Sequence, residues 1–119
     1  RRKTRKCLYW KLRAGEKIKT DPRQTISICY KITREILEVG GWPREKNMEL
    51  FDYGASLKKI DKDLCKNALI VYFLYSKYEY SRLVPVEKDS ATIYERTCKV
   101  IDFVLNFHSG KEKPEQAGF

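Results

Sequence analysis

The sequence has a single histidine, His108, and its four cysteines, Cys7, Cys29, Cys65 and Cys98, stand 22, 36 and 33 positions apart with no C-x-x-C pair. A structural zinc site brings its ligands in close pairs, so these spacings argue against a metal and none is assigned. Any Ser-His or Cys-His catalytic arrangement would have to use His108. There is no Walker loop, dinucleotide fingerprint or H-E-x-x-H segment, and Gly40-Gly41 is isolated and followed by Trp42-Pro43. The chain reads as a non-enzyme with no cofactor. It also lacks an apolar run of about 18 residues, a signal-peptide h-region, internal repeats and low-complexity stretches. No membrane partner is expected.

Acidic charge is scarce where it would matter most. Residues 1–23, RRKTRKCLYWKLRAGEKIKTDPR, hold Arg1, Arg2, Lys3, Arg5, Lys6, Lys11, Arg13, Lys17, Lys19 and Arg23 against only Glu16 and Asp21, a balance of +8. The other 96 residues carry fifteen basic and fourteen acidic side chains, a balance of +1. This is a nearly neutral body with a cationic arm, and the partner such an arm selects is a polyanion. Leu8, Tyr9, Trp10, Leu12 and Ile18 lie inside the arm, so part of it should dock on the body.

At 119 residues and 42% hydrophobic content, the chain is the right size for one domain with one core. We read 1–119 as a single DNA-binding domain with a basic arm over 1–20 and a polar tail over 111–119. Asp21-Pro22 starts a helix, with Asp capping free N–H groups and Pro at the first helical position. The three- and four-residue recurrence of Ile26, Cys29, Tyr30, Thr33, Ile36 and Leu37 carries that helix over 22–39, and Gly40-Gly41 ends it. Cysteines on apolar faces suit reduced core thiols.

Pro43 predicts a shorter helix over 43–52 with Met48 and Phe51 inward, then a turn at Gly54. Ser56 predicts a third helix over 56–67 with Leu57, Ile60 and Leu64 inward. On its outer side Lys58, Lys62 and Lys66 recur every four residues beside Lys59. Two short helices, a glycine turn and a lysine stripe suggest a helix-turn-helix whose second helix meets DNA. Lysine carries little base information, so Arg5, Arg13, Arg23, Asn67 and Arg82 are the candidates for readout.

Residues 68–75, ALIVYFLY, form a continuous apolar, β-branched and aromatic run that predicts a strand buried on both faces. A turn at Ser76-Lys77 and a partial alternation after Tyr78 would complete a β-hairpin over 68–86, with Lys77, Tyr78, Tyr80 and Arg82 at a wing that touches phosphates. A last helix follows over 90–109, started by Asp89 or Ser90, with Ile93, Thr97, Ile101, Val104, Leu105 and His108 on one face. Strands within 91–108 are the alternative. The expected class is therefore α+β.

The order of these features resembles the Tas family of foamy-virus (spumavirus) transcriptional transactivators, in their DNA-binding region. The residues that carry the resemblance are RRKTRKC, the helix with SICYK, GWPREKNMELF, ALIVYFLY, and VPVEKDSATIY leading to FVLNFH. Where the family has cysteine in the strand after the helices, this chain has Tyr72, Leu74 and Tyr75. The resemblance implies the DNA-binding part of a nuclear activator that acts at viral promoters, with strands rather than a final helix in the later segments. Two alternatives stay open from the residues alone. One is RNA binding, with Tyr9 and Trp10 stacking on unpaired bases; the other is a secreted, disulfide-linked protein whose basic face meets an acidic partner.

Overall fold

The computed structural model describes residues 21–111, with side chains described to Phe107. Helix α1 spans Pro22–Val39, α2 Leu50–Ser56, α3 Lys62–Glu79 and α4 Glu87–Lys111, with a 3-10 turn at Leu57–Lys59 between α2 and α3. No strand occurs among the described residues, so the α+β expectation is replaced by an all-helical body. The later strands implied by the resemblance are likewise absent there.

Helix α1 has the range its spacing predicts. Asp21 accepts a hydrogen bond from the Gln24 N–H at 3.1 Å and Pro22 takes the first helical position, where its missing donor costs nothing. Thr25, Ile26, Ile28, Cys29, Ile32, Thr33, Ile36 and Leu37 are buried, one continuous face. At the other end the Trp42 N–H donates to Leu37 O at 3.0 Å and the Gly41 N–H to Glu38 O at 3.0 Å. This paired closure is a Schellman motif, and Gly41 supplies its left-handed residue with φ +97°. Gly40 has a different job. A Cβ there would lie 3.0 Å from the Trp42 ring and 3.2 Å from Val104, so its bareness lets Trp42 fold back toward α4.

The next stretch departs from expectation. Pro43 lies in an irregular segment and α2 begins only at Leu50. Tyr53 and Gly54 are its buried residues, while Phe51 faces outward at 38% exposure. Gly54 is inside the helix rather than at a turn, and a Cβ on it would come within 2.6 Å of Leu69 and 3.1 Å of Tyr72. Its role is close approach of α2 to α3. The turn expected at Gly54 lies instead at Leu57–Lys59, so the expected helix bounds of 43–52 and 56–67 do not hold.

Helix α3 overturns the hairpin. Asp61 caps it, its carboxylate accepting from the Leu64 N–H at 3.0 Å, and the helix runs without a break through ALIVYFLY to Glu79. Leu64, Cys65, Asn67, Ala68, Val71, Tyr72, Leu74 and Tyr78 are buried, again at helical spacing. The reason the run looked like a strand lies in its neighbours: α3 packs against α1, α2, the 3-10 turn and α4. A helix touched on several sides needs apolar residues most of the way round, and packing of that kind overrides the β-propensity of Val, Ile, Tyr and Phe.

Residues 81–86 form an irregular connection into α4, buried only at Pro85, not a second strand. Val84 is 81% exposed and Tyr80 83%, so no wing is built there. The final segment is helical, as its spacing predicts, with Ile93, Thr97, Val100, Ile101 and Val104 buried. It begins at Glu87, upstream of the expected start. Val86 O accepts the first N–H groups, from Asp89 at 3.0 Å and Ser90 at 3.2 Å, and Asp89 is thereby released to bind α3. Helix α4 packs along α1 and α3. Thr33 and Thr97 place their hydroxyls 3.3 Å apart in that core, and Thr33 Oγ1 donates to Cys29 O at 2.9 Å, so neither polar group is buried without a partner.

Candidate nucleic-acid interface

Nine of the expected contact residues, Arg1, Arg2, Lys3, Arg5, Lys6, Lys11, Arg13, Lys17 and Lys19, lie outside the described residues, as does the expected docking of the arm. Arg23, the last cation of the basic stretch, is described, and it is engaged. Its guanidinium donates to Tyr78 O at 3.2 Å and to Leu83 O at 2.7 Å, joining the first turn of α1 to the end of α3 and the connection beyond.

The same corner holds an ionic cluster. The Asp89 carboxylate accepts from the Tyr78 hydroxyl and from Lys77 Nζ, the latter at 3.1 Å. The Tyr78 hydroxyl above all, and then Lys77, hold the Asp89 carboxyl below the usual carboxylate range. Lys77 gains in turn: its hydrogen bond and attraction to Asp89 raise its ammonium above the ordinary lysine value. Lys77 is thus a closing contact of the α3–α4 corner, while Arg82 stays exposed in the connection.

Asn67 is 8% exposed and its Oδ1 accepts from Arg96 at 3.0 Å. That amide joins α3 to α4 and is turned away from solvent, which removes it from base readout. Arg96 is itself fixed, half-buried, with Glu95 at 3.8 Å from its Nε.

Lys58, Lys59, Lys62 and Lys66 are all exposed, and none has a carboxylate partner among the described residues. They do not share one helix. Lys58 and Lys59 are on the 3-10 turn, Lys62 is the first residue of α3 and Lys66 lies one turn further, because the chain turns at Ile60 before Asp61 starts the new helix. Lys58, Lys62 and Lys66 nevertheless converge on an open groove of about 620 Å³, whose floor is Cys65, Leu69, Ile70 and Phe73. Lys59 points to a separate hollow beside Trp42, Met48 and Ile60.

The groove floor was not foreseen from the sequence. A strand over 68–75 would bury Leu69, Ile70 and Phe73; on the helix Leu69 and Ile70 are half-buried at the margin of the core, and Phe73 is 59% exposed. The missed signal was the helical spacing of Leu64, Ala68, Val71 and Tyr72 within the same run.

No protein-family model, curated protein or solved structure matches this chain. Among the described residues no group of His, Cys, Asp and Glu could hold a metal ion, and no helix is long and apolar enough to cross a membrane. Cys29 and Cys65 are buried. Burial pushes the Cys29 thiol up to about 12, which makes it an inert packing group.

Proposed function

We propose that the chain is a DNA-binding module whose affinity resides in residues 1–19, with the helical body as the platform that presents them. The observation that carries this reading is the charge division, +8 over residues 1–23 against +1 over the rest. The body supports it through Arg23, which spends its charge on Tyr78 and Leu83 carbonyls and so anchors the helix that follows the basic stretch. Contacts of this kind hold phosphates and set position; they do not by themselves read sequence. The wider proposal, an activator acting at viral promoters in a nucleus, rests on the resemblance alone.

Binding of a labelled duplex, followed by fluorescence anisotropy across a salt series, tests the reading. With about six phosphate contacts, log K falls against log salt with a slope near −5, from about −0.9 per phosphate. Removing residues 1–6 makes the slope shallower by several of those contacts. A slope unchanged by the deletion would mean that the basic stretch does not touch DNA.

A further inference from the structure

We infer that the groove on α3 is a docking site for an acidic amphipathic helix of another protein, a function separate from the DNA contact of residues 1–19. Lys62, Lys66, Leu69, Ile70 and Phe73 follow one another at four, three, one and three residues, so they form a single stripe along the outer face of α3. From Lys62 to Phe73 that stripe is roughly 16 Å long at 1.5 Å per residue, the length of about three turns of a partner helix. Lys58, on the 3-10 turn, closes the basic end. The result is an apolar floor with lysines on its rim, a pattern matched by a partner helix that offers apolar anchors at i, i+3, i+4 and i+7 with carboxylates beside them.

Charge complementarity selects this occupant. Lys58, Lys62 and Lys66 have no carboxylate partner among the described residues, in contrast to Lys77, further along α3, which Asp89 neutralises. Nucleic acid fits the floor poorly, because Leu69 and Ile70 carry no donors, the Cys65 thiol is turned to Ala55 O, and Phe73 is the one flat ring lining the groove. A solvated lysine face needs no apolar floor beneath it, and the 59% exposure of Phe73 is surface that a partner would remove from water.

The test uses the full chain and three labelled synthetic peptides at near-physiological salt. The first is a helix-forming peptide with leucines at i, i+3, i+4 and i+7 and glutamates flanking them. The second has the same composition with that face scrambled, and the third replaces the glutamates by lysines. The acidic amphipathic peptide should bind at least tenfold more tightly than either control. Phe73→Ser and the triple change Lys58→Gln, Lys62→Gln, Lys66→Gln should each weaken it at least tenfold with helicity intact by circular dichroism, while Phe73→Ser changes duplex binding less than threefold. Equal binding of the three peptides, or an unaltered affinity in Phe73→Ser, overturns the inference. So would loss of oligothymidylate binding in Phe73→Ser without peptide binding, which would make the groove a nucleic-acid surface. A wild-type dimer in sedimentation that Phe73→Ser dissolves would give the groove to a second copy of the chain and overturn it as well.

Discussion

Helices α1 and α3 are both 18 residues long and both begin at a capping aspartate, yet only one of them is transparent in the sequence. Helix α1 lies at the edge of the body, with Lys31, Arg34 and Glu38 in solvent, so its apolar residues keep to one face and the 3.6-residue period stands out. Helix α3 is packed by α1, α2, the 3-10 turn and α4, and part of what remains open is the apolar groove. Apolar residues therefore run nearly all the way round it and the period is blurred. A continuous apolar run marks an element contacted on many sides. It does not say whether that element is strand or helix.

The largest expected effects come from the buried faces, where the two helices should behave alike. Ile36→Ala in α1 and Leu64→Ala in α3, both essentially solvent-free, should each cost about 2 to 5 kcal/mol in urea unfolding. A loss in only one of them would break the symmetry between the helices. Val71→Ala against Phe73→Ala sharpens the point, since a strand puts residues 71 and 73 on one face and a helix separates them. Val71 is wholly buried and Phe73 is 59% exposed, so the first should cost about 1 to 3 kcal/mol and the second under about 0.5.

Next in size is the corner that fastens α3 to α4 and has no counterpart on α1. Asp89→Asn removes the ionised acceptor shared by Tyr78 and Lys77 and should cost about 1 to 2 kcal/mol at neutral pH. Because the folded-state carboxyl of Asp89 titrates below its unfolded value, its contribution is fully present above roughly pH 4 and is lost as pH falls through the folded value. Unfolding curves of wild type and Asp89→Asn should converge in that acid window. A difference that persists undiminished would assign the effect to packing.

The smallest effects are at the caps. Asp21→Ala and Asp61→Ala each remove one side-chain acceptor, for Gln24 N–H and Leu64 N–H, and each should cost about 1 kcal/mol. A larger loss for Asp61 would mean that the break after the 3-10 turn is less well supported by packing than the start of α1.

What the sequence made legible follows the same division. Asp21-Pro22, the apolar spacing to Leu37 and Gly40-Gly41 were sufficient for α1, because cap, face and stop are all local signals. Ile93, Thr97, Ile101 and Val104 of the last helix were readable for the same reason, Leu105 is half-buried and the His108 side chain lies outside the described residues; the expected start at Asp89 or Ser90 falls inside the helix, where the Asp89 carboxylate is occupied by Tyr78 and Lys77 across the α3–α4 corner. Gly54 misled because a glycine needed for close packing looks the same in sequence as a glycine needed for a turn. Among the expected contacts, Asn67 and Arg23 carry the polar chemistry of base readout, but long-range hydrogen bonds to Arg96, Tyr78 and Leu83 claim them. Lys58, Lys62 and Lys66 were recognised as one surface, and the apolar floor between them was hidden inside the run taken for a strand.

The groove and its proposed partner exist only if residues 68–75 are helical in the full chain. Backbone carbon chemical shifts across ALIVYFLY read this directly. An unbroken helical pattern from Lys62 to Glu79, with sequential amide contacts and no pairing between 68–75 and 78–86, is the result expected here. Extended-chain shifts over 68–75 with cross-strand contacts to 78–86 would restore the hairpin, bury Phe73 and remove the docking face.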